Sequence, residues 1–173
     1  MNKKTRALTL SALFAALTVI SLYIASVWPT GTIGLAAAAS IFVVAAIVEA
    51  GIGSGVSVFI VSSLLGMLLL PNRAAPLLYM LFFGYYPVVK SFIERLSSRP
   101  LQLVLKLCVF NLALTALWFL FGELIFDFGE FQPSPILLYI AGSVLFAIFD
   151  YGFTKVIWLY INRISKYIQK GSG

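Results

Sequence analysis

Long apolar segments separated by short polar ones run the length of the chain. A helix needs about 20 mostly apolar residues to cross the roughly 30 Å hydrocarbon core of a bilayer. Six segments approach that length, and the pattern predicts transmembrane helices at Ala7–Trp28, Ile33–Ala50, Gly55–Pro71, Ala75–Val89, Leu101–Phe121 and Ile136–Ile161. The fourth is short, so we expect Lys90 to extend to the interface by snorkelling, or the bilayer to be thin there.

The composition supports this interpretation. Of 173 residues, 61% are hydrophobic and 10% are charged, and the mean hydropathy is +1.03. Soluble domains use about 45–50% apolar and about 25% charged residues. We therefore predict an all-α integral membrane protein with a single six-helix domain over residues 1–170. The last three residues, 171–173, resemble an artificial linker and are left out of the fold prediction.

The basic residues predict how the helices are oriented. Cytoplasmic loops of membrane proteins carry an excess of Lys and Arg. With a cytoplasmic N-terminus, the outer loops contain only Arg73, and the inner segments contain Lys3, Lys4, Arg6, Lys90, Arg95, Arg99, Arg163, Lys166 and Lys170. We therefore expect both termini to be cytoplasmic, in a multi-pass protein of the plasma membrane. The net charge of +6 has this topological explanation and does not indicate nucleic-acid binding.

Residue types that catalytic and metal sites commonly need are scarce. The chain has no His and one Cys, which removes the commonest general base, zinc-type sites and an internal disulfide. No H-E-x-x-H or G-x-S-x-G motif occurs. We therefore expect no catalytic residue, no metal site and no cofactor.

The glycine-rich stretch "GIGSG", Gly51 to Gly55, superficially resembles a phosphate-binding loop. It lacks the preceding strand and the following Lys-Ser/Thr of such a loop. We interpret it as a tight turn whose glycines let helices two and three pack closely.

Ionisable groups inside predicted spans are costly and are candidate functional residues. Asp150 and Asn111 are predicted at similar depth in helices six and five, where they could meet. Asp150 needs a donor, and another helix is favoured, because Lys155 points roughly 140° away around the same helix. Lys106 and Lys155 lie near the inner ends of their helices and are expected to snorkel. Whether Asp150 binds a ligand or links helices stays open.

The loops predicted on the outer side carry groups suited to bind a small polar or aromatic molecule. The stretches "SVWPTGTIG" and "PNRAAP" combine an indole, hydroxyls, an amide and a cation. With nearby polar residues of the helices, the candidate substrate-binding residues are Trp28, Thr30, Asn72, Arg73, Tyr79, Asn111, Trp118, Glu123, Asp127 and Asp150. An aromatic belt at the interface is the alternative explanation for Trp28, Tyr79 and Trp118.

On the inner side, Pro87 is predicted to kink the fourth helix just before it leaves the membrane, because proline has no backbone N–H. Residues Lys90 to Arg99 would then form a short basic amphipathic segment on the membrane surface. Membrane lipid is the simplest partner for that segment.

The first helix carries small residues on one side of its inner half. On a helical wheel, Ser11, Ala12, Ala15 and Ala16 share that side, opposite Leu10, Leu13, Phe14 and Leu17. Small residues four apart let another helix approach closely in lipid, so Ala12 and Ala16 predict a packing surface. The packed helix could belong to this chain or to another protein.

A small six-helix chain whose basic N-terminus leads into "LTLSALFAALTVI" resembles the substrate-binding S component of energy-coupling factor (ECF) vitamin transporters. The stretch "EAGIGSGVSVFIVSSLLGMLLLP", Glu49 to Pro71, is similar to the glycine-bearing turn into helix three of that family, although the proline often found there is absent. The resemblance implies that Ser11, Ala12, Ala15 and Ala16 dock onto a transmembrane coupling protein that carries two cytoplasmic ATPases. It also implies that a vitamin-like small molecule binds from outside.

Two other classes of protein fit the same sequence. One is a non-catalytic membrane scaffold similar to the MreD-like proteins of cell elongation, which would recruit partners and bind no ligand. The other is a transporter for a phospholipid or polyprenyl headgroup, in which Asp150, Asn111 and Lys106 would line a groove.

Overall fold

The regular secondary structure is helical throughout the part of the chain that the computed structural model describes, residues 2–125 and 134–165. The α-helices are α1 (Lys3–Val27), α2 (Thr32–Ala50), α3 (Ile52–Leu69), α4 (Ala74–Leu78), α5 (Tyr86–Ile93), α6 (Arg99–Ile125) and α7 (Pro135–Leu159). A 3-10 turn covers Pro29–Gly31, and π-helical turns cover Tyr79–Phe83 and Tyr160–Ser165.

Six helical segments within the described ranges are long and apolar enough to cross a membrane. They are Lys3–Val27, Thr32–Ala50, Ile52–Leu69, Ala74–Ile93, Arg99–Phe119 and Ile136–Arg163. The predicted all-α architecture with six membrane-length helices is therefore confirmed, and each span coincides with one of the predicted apolar segments.

The fourth span is longer than the sequence predicts. α4, a π-helical turn and α5 succeed one another as far as Ile93, which gives a candidate span of 20 residues. Pro87 lies in the first turn of α5, where a missing N–H costs no helical hydrogen bond, so it does not end the helix. Lys90 is consequently inside α5 and only 1% exposed. The expectations that it snorkels and that it begins a surface segment are both wrong.

The chain divides into two compact units, Met1–Val89 with Lys155–Gly173, and Lys90–Thr154. In the first unit, α1, α2 and α3 pack on one another around small and branched apolar side chains. Gly51 ends α2 with a φ of 89°, a value that favours glycine. A Cβ atom at Gly55 would collide with the side chain of Ile47 on α2. The prediction that "GIGSG" is a tight turn with close helix packing is confirmed.

In the unit Lys90–Thr154, α6 and α7 pack through aromatic and small side chains. The rings of Phe110 and Phe146 stack with centroids 4.5 Å apart. A Cβ atom at Gly142 would lie 3.3 Å from Leu114, so the absence of a side chain there brings the two helices together. The stacked rings and the glycine contact join α6 and α7, the helices that carry Lys106 and Asp150.

Candidate functional site

Four charged side chains meet in the unit Lys90–Thr154. The ammonium of Lys90 donates to Asp150 Oδ1 and, over 2.7 Å, to Glu94 Oε1. The ammonium of Lys106 donates to the same Glu94 oxygen over 2.8 Å and to Asp150 Oδ2 over 3.0 Å. Positive and negative groups therefore alternate around a closed circuit, here called the charge ring.

The helices place these residues by simple spacing. Lys90 and Glu94 are four residues apart at the end of α5 and so lie on one face. Lys106 comes from α6 and Asp150 from α7. One turn after Asp150, the hydroxyl of Thr154 donates to the Asp150 carbonyl over 2.8 Å and accepts a hydrogen bond from Lys90 over 2.8 Å. The charge ring thus joins three helices.

The charge ring satisfies most of its own hydrogen-bonding capacity. An ammonium has three N–H donors, and Lys90 has three acceptors in Asp150, Glu94 and Thr154. The side chains of Lys90 and Lys106 are buried, and the two lysines and two carboxylates cancel in charge. Because an unpaired charge buried in a protein costs several kcal/mol, this pairing is what makes burial of these groups tolerable.

Glu94 is the corner of the charge ring that reaches solvent. It lies one residue beyond the fourth span, and its side chain is 39% exposed. Burial alone would raise its pKa, but the hydrogen bonds from Lys106 and Lys90 outweigh that effect and hold the pKa of the Glu94 carboxyl below its usual value. Glu94 is therefore a carboxylate at neutral pH.

The structure answers part of the sequence analysis of polar groups inside spans. Asp150 finds its donors on other helices, as predicted. Lys106 is buried and donates inward, so the expectation that it snorkels is wrong. The Asn111 amide donates to Leu107 O over 2.9 Å and to Ser143 Oγ over 3.4 Å. Ser143 lies seven residues before Asp150 on α7, so Asn111 and Asp150 do not meet. Lys155 is exposed, and its snorkelling stays a prediction.

Sequence reasoning missed two members of the charge ring. The sequence pattern places Lys90 and Glu94 in a surface segment. Their opposite charges at a spacing of four, directly after an apolar helix, are typical of paired side chains on one helix face. That spacing was the signal available in the sequence.

Of the candidate substrate-binding residues near α1, two are brought together. Trp28 Nε1 donates to Thr30 Oγ1 over 2.8 Å, and the indole is largely exposed. A shallow cavity of about 330 Å³ lies beside it, lined by Tyr23, Ile24, Val27 and Trp28. This end of α1 therefore offers an aromatic surface with a hydroxyl group attached to it.

The other candidates of the first unit have structural contacts or stand at the surface. Asn72 Oδ1 accepts a hydrogen bond from the Ala74 backbone over 2.8 Å and so starts α4, while Arg73 is exposed. Tyr79 is fully buried, and its hydroxyl lies 3.0 Å from Ser62 Oγ. A substrate role for Tyr79 stays a prediction, and it would require the core to open.

The remaining candidates lie in or beyond α6. Trp118 is half-buried on α6. Glu123 belongs to the same helix, but its side chain lies outside the described part of the structure, and Asp127 lies outside the described residues. Their predicted roles stay predictions.

The small-residue patch of α1 is divided by the fold. Ala15 is buried in the core beside Phe14, and Ser11 is half-buried with its hydroxyl donating to Ala7 O over 2.8 Å. Ala12 and Ala16 are exposed on the adjacent part of the helix surface, next to Leu8, which is 73% exposed. The Ala12-x-x-x-Ala16 pair is therefore left uncovered by the fold.

A second buried carboxylate, Glu49, lies in the last turn of α2. Its side chain is 0% exposed, and Arg6 Nη2 is 4.0 Å away, too far for a hydrogen bond. Within the described residues, neither Glu49 oxygen has a hydrogen-bond partner, and the same holds for Arg6 Nη2 and the Tyr160 hydroxyl. This ion pair was not predicted from the sequence.

Comparison of the chain with protein-family models, with curated proteins and with solved structures finds no match in any of the three.

Proposed function

We propose that the chain is the membrane-embedded, non-catalytic substrate-binding subunit of an ECF-type uptake transporter for a vitamin-like small molecule. The observation that carries this proposal is the exposure of Ala12 and Ala16 on α1. In this proposal the subunit lies in the plasma membrane with both termini cytoplasmic, and it has no catalytic residue, metal or cofactor of its own.

The exposed alanines suit helix docking. α1 uses one face for its own fold, where Phe14, Ala15 and Thr18 are buried. On the neighbouring face, two exposed alanines lie one turn apart, next to the exposed side chain of Leu8. Small residues at this spacing let a second helix approach closely in lipid, where packing rather than the hydrophobic effect drives association. A helix of a coupling protein is the partner that the family resemblance implies.

The charges of the N-terminal segment support the direction of docking. Lys3, Lys4 and Arg6 precede Ala12 by less than three turns, and the positive-inside rule assigns such a segment to the cytoplasm. Ala12 and Ala16 then lie in the inner half of the membrane. That is where a coupling protein bound to two cytoplasmic ATPases would be within reach.

The proposed substrate end lies at the other end of the same helix. Trp28 is 16 residues after Ala12, which is about 24 Å along an α-helix. Its hydrogen bond with Thr30 and the adjacent cavity support a role in holding an aromatic or polar ring. Substrate would bind at the outer end while ATP is hydrolysed by the partner at the inner end.

Co-purification with an ECF module tests the proposal. The tagged chain is co-expressed with an ECF coupling protein and its two ATPases, and recovery of the ATPases is measured. The double variant Ala12→Trp with Ala16→Trp should fold and lose at least about ninety per cent of the ATPases, since a 1.4 kcal/mol loss already weakens binding tenfold.

The matched control places the same substitutions elsewhere on the exposed surface. Ala141 and Ala147 are exposed alanines of α7, and the variant Ala141→Trp with Ala147→Trp should retain the ATPases. Recovery of the ATPases by the Ala12 and Ala16 double variant would contradict the proposal, as would their absence from the wild-type preparation.

A further inference from the structure

Two buried ammonium groups of the charge ring converge on a single oxygen position. Glu94 Oε1 lies 2.7 Å from Lys90 Nζ and 2.8 Å from Lys106 Nζ. Charge-assisted hydrogen bonds of this length are the strong ones in proteins. Both lysine side chains are more than nine-tenths buried, so their ammonium groups depend on this bound oxygen rather than on bulk water.

The group that occupies this position is the most exposed member of the charge ring. The Glu94 side chain is 39% exposed, against 16% for Asp150, which accepts from the same two lysines. Glu94 also follows the last residue of α5, in the turn that leads towards α6. Its carboxylate can therefore swing into solvent while Lys90, Lys106 and Asp150 stay in place.

A group that replaces the Glu94 carboxylate has to restore the charge balance of the ring. Without Glu94, the two lysines and Asp150 leave one net positive charge buried. Lys106 has three N–H groups, and two of them donate to Glu94 and Asp150 among the described residues. The third can therefore donate to a second oxygen of the replacing group. A tetrahedral phosphate supplies a negative charge and several acceptor oxygens in one group. The exposed Arg95 and Arg99 lie one and five residues after Glu94 and add positive charge to this part of the chain.

We propose that Lys90 and Lys106 form a binding site for a phosphate group, and that Glu94 occupies this site as a built-in competitor. One phosphate oxygen takes the position of Glu94 Oε1, and the Glu94 carboxylate moves to water. The phosphate belongs either to a free anion or to a lipid headgroup, since exposed apolar side chains, Phe92 and Leu96, lie within two residues of Glu94 along the chain. This site is independent of the proposed docking through α1.

The variant Glu94→Gln should unmask the site. A tethered group competes at an effective concentration of roughly millimolar or above. Removing its charge should therefore tighten binding of inorganic phosphate at least about tenfold relative to wild type. The measurement is the melting temperature of the purified protein in a maltoside detergent, titrated with phosphate against chloride at constant ionic strength, since a ligand of the folded state raises it.

A second arm distinguishes the two sources of phosphate. Micelles are supplemented with phosphatidylglycerol or, as a phosphate-free control, with a diacyl galactolipid. A rise in melting temperature with inorganic phosphate alone supports a free anion as the ligand. A rise with phosphatidylglycerol supports a lipid headgroup. The matched variant combines Glu94→Gln with Lys106→Gln, which keeps the neutral Lys90–Asp150 pair but removes one of the two ammonium groups, and it should not respond.

The proposal is overturned if neither phosphate nor phosphatidylglycerol stabilises Glu94→Gln more than this double variant. If the Glu94→Gln variant does not fold in chloride, it is purified in the presence of phosphate or phosphatidylglycerol, and the recovery of folded protein is measured. Recovery of folded protein with either one supports the site, and recovery with neither contradicts it.

Discussion

Two buried carboxylates, Asp150 and Glu49, have opposite surroundings. Asp150 accepts hydrogen bonds from lysines of two other helices, one on each oxygen. The Glu49 side chain is 0% exposed, against 16% for Asp150, but its nearest described cation is Arg6 at 4.0 Å, and neither oxygen accepts a hydrogen bond from a described residue. Both acids lie at helix positions where a charge is costly, yet only Asp150 has a complete set of donors.

The difference shows that hydrogen bonding, and not burial alone, decides whether a buried carboxylate has a structural role. A carboxylate held on both oxygens by buried ammonium groups is part of the frame that joins helices, because its removal leaves buried positive charge uncompensated. A carboxylate without hydrogen bonds retains its capacity to accept a water or a proton. We therefore expect the two acids to respond differently to the same change, the replacement of the acid by its amide.

The largest effect is expected for Asp150→Asn. The amide keeps the shape but removes the charge that balances Lys90 and Lys106, so a positive charge is left uncompensated in the ring. Removing one partner of a buried ion pair costs about 3–5 kcal/mol. Equilibrium unfolding in mixed detergent micelles should show a loss of this size in the free energy of unfolding.

A variant without charged groups in the ring separates this electrostatic loss from lost packing. The variant that combines Lys90→Met, Glu94→Gln, Lys106→Met and Asp150→Leu should be more stable than Asp150→Asn, because well-packed apolar groups replace buried ion pairs at little cost. If the apolar variant is the less stable of the two, the charge ring is not the source of the loss.

A much smaller effect is expected for Glu49→Gln. The carboxylate loses no hydrogen bond to a described residue, and Arg6 keeps contact with water because its side chain is 32% exposed. The free energy of unfolding should change by less than about 1 kcal/mol or should rise, since a poorly compensated buried charge has been removed. A loss equal to that of Asp150→Asn would erase the distinction between the two acids.

The smallest effect is expected for the pH dependence of the stability that Glu94, the most exposed member of the charge ring, contributes. The pKa of Glu94 is lowered in the folded protein by its hydrogen bonds with Lys106 and Lys90, against the opposing effect of burial. A lowered folded pKa contributes stability above the unfolded value, about 4.3, and this contribution is lost as the pH falls through the folded value. The difference in melting temperature between wild type and Glu94→Gln should be constant above about pH 5 and shrink below about pH 4. A difference that grows on acidification would contradict the assignment.

The architecture could be predicted from the sequence because it depends on local properties. The length of an apolar segment decides whether it can cross a membrane, and the conformation of Gly51 decides where α2 ends. Neither property depends on a distant part of the chain. The fourth span extends beyond the predicted end at Val89, because Pro87 lies in the first turn of α5, which accommodates a proline.

The candidate site could be predicted only in part, because pairing depends on how helices rotate against one another. The sequence shows that Asp150 needs a donor, but Lys90 and Lys106 satisfy it only because α5 and α6 turn those side chains inward. The helical wheel likewise groups Ala12 with Ala15 and does not say which of them the bundle covers. The fold buries Ala15 and leaves Ala12 exposed.

The central claim, docking through α1, is tested most directly by native mass spectrometry of the chain co-expressed with an ECF coupling protein and two ATPases. The account predicts a complex of one copy of this chain with all three partners, and the chain alone when Ala12 and Ala16 are both replaced by Trp. A wild-type chain that stays alone, or a double variant that still assembles, would contradict it.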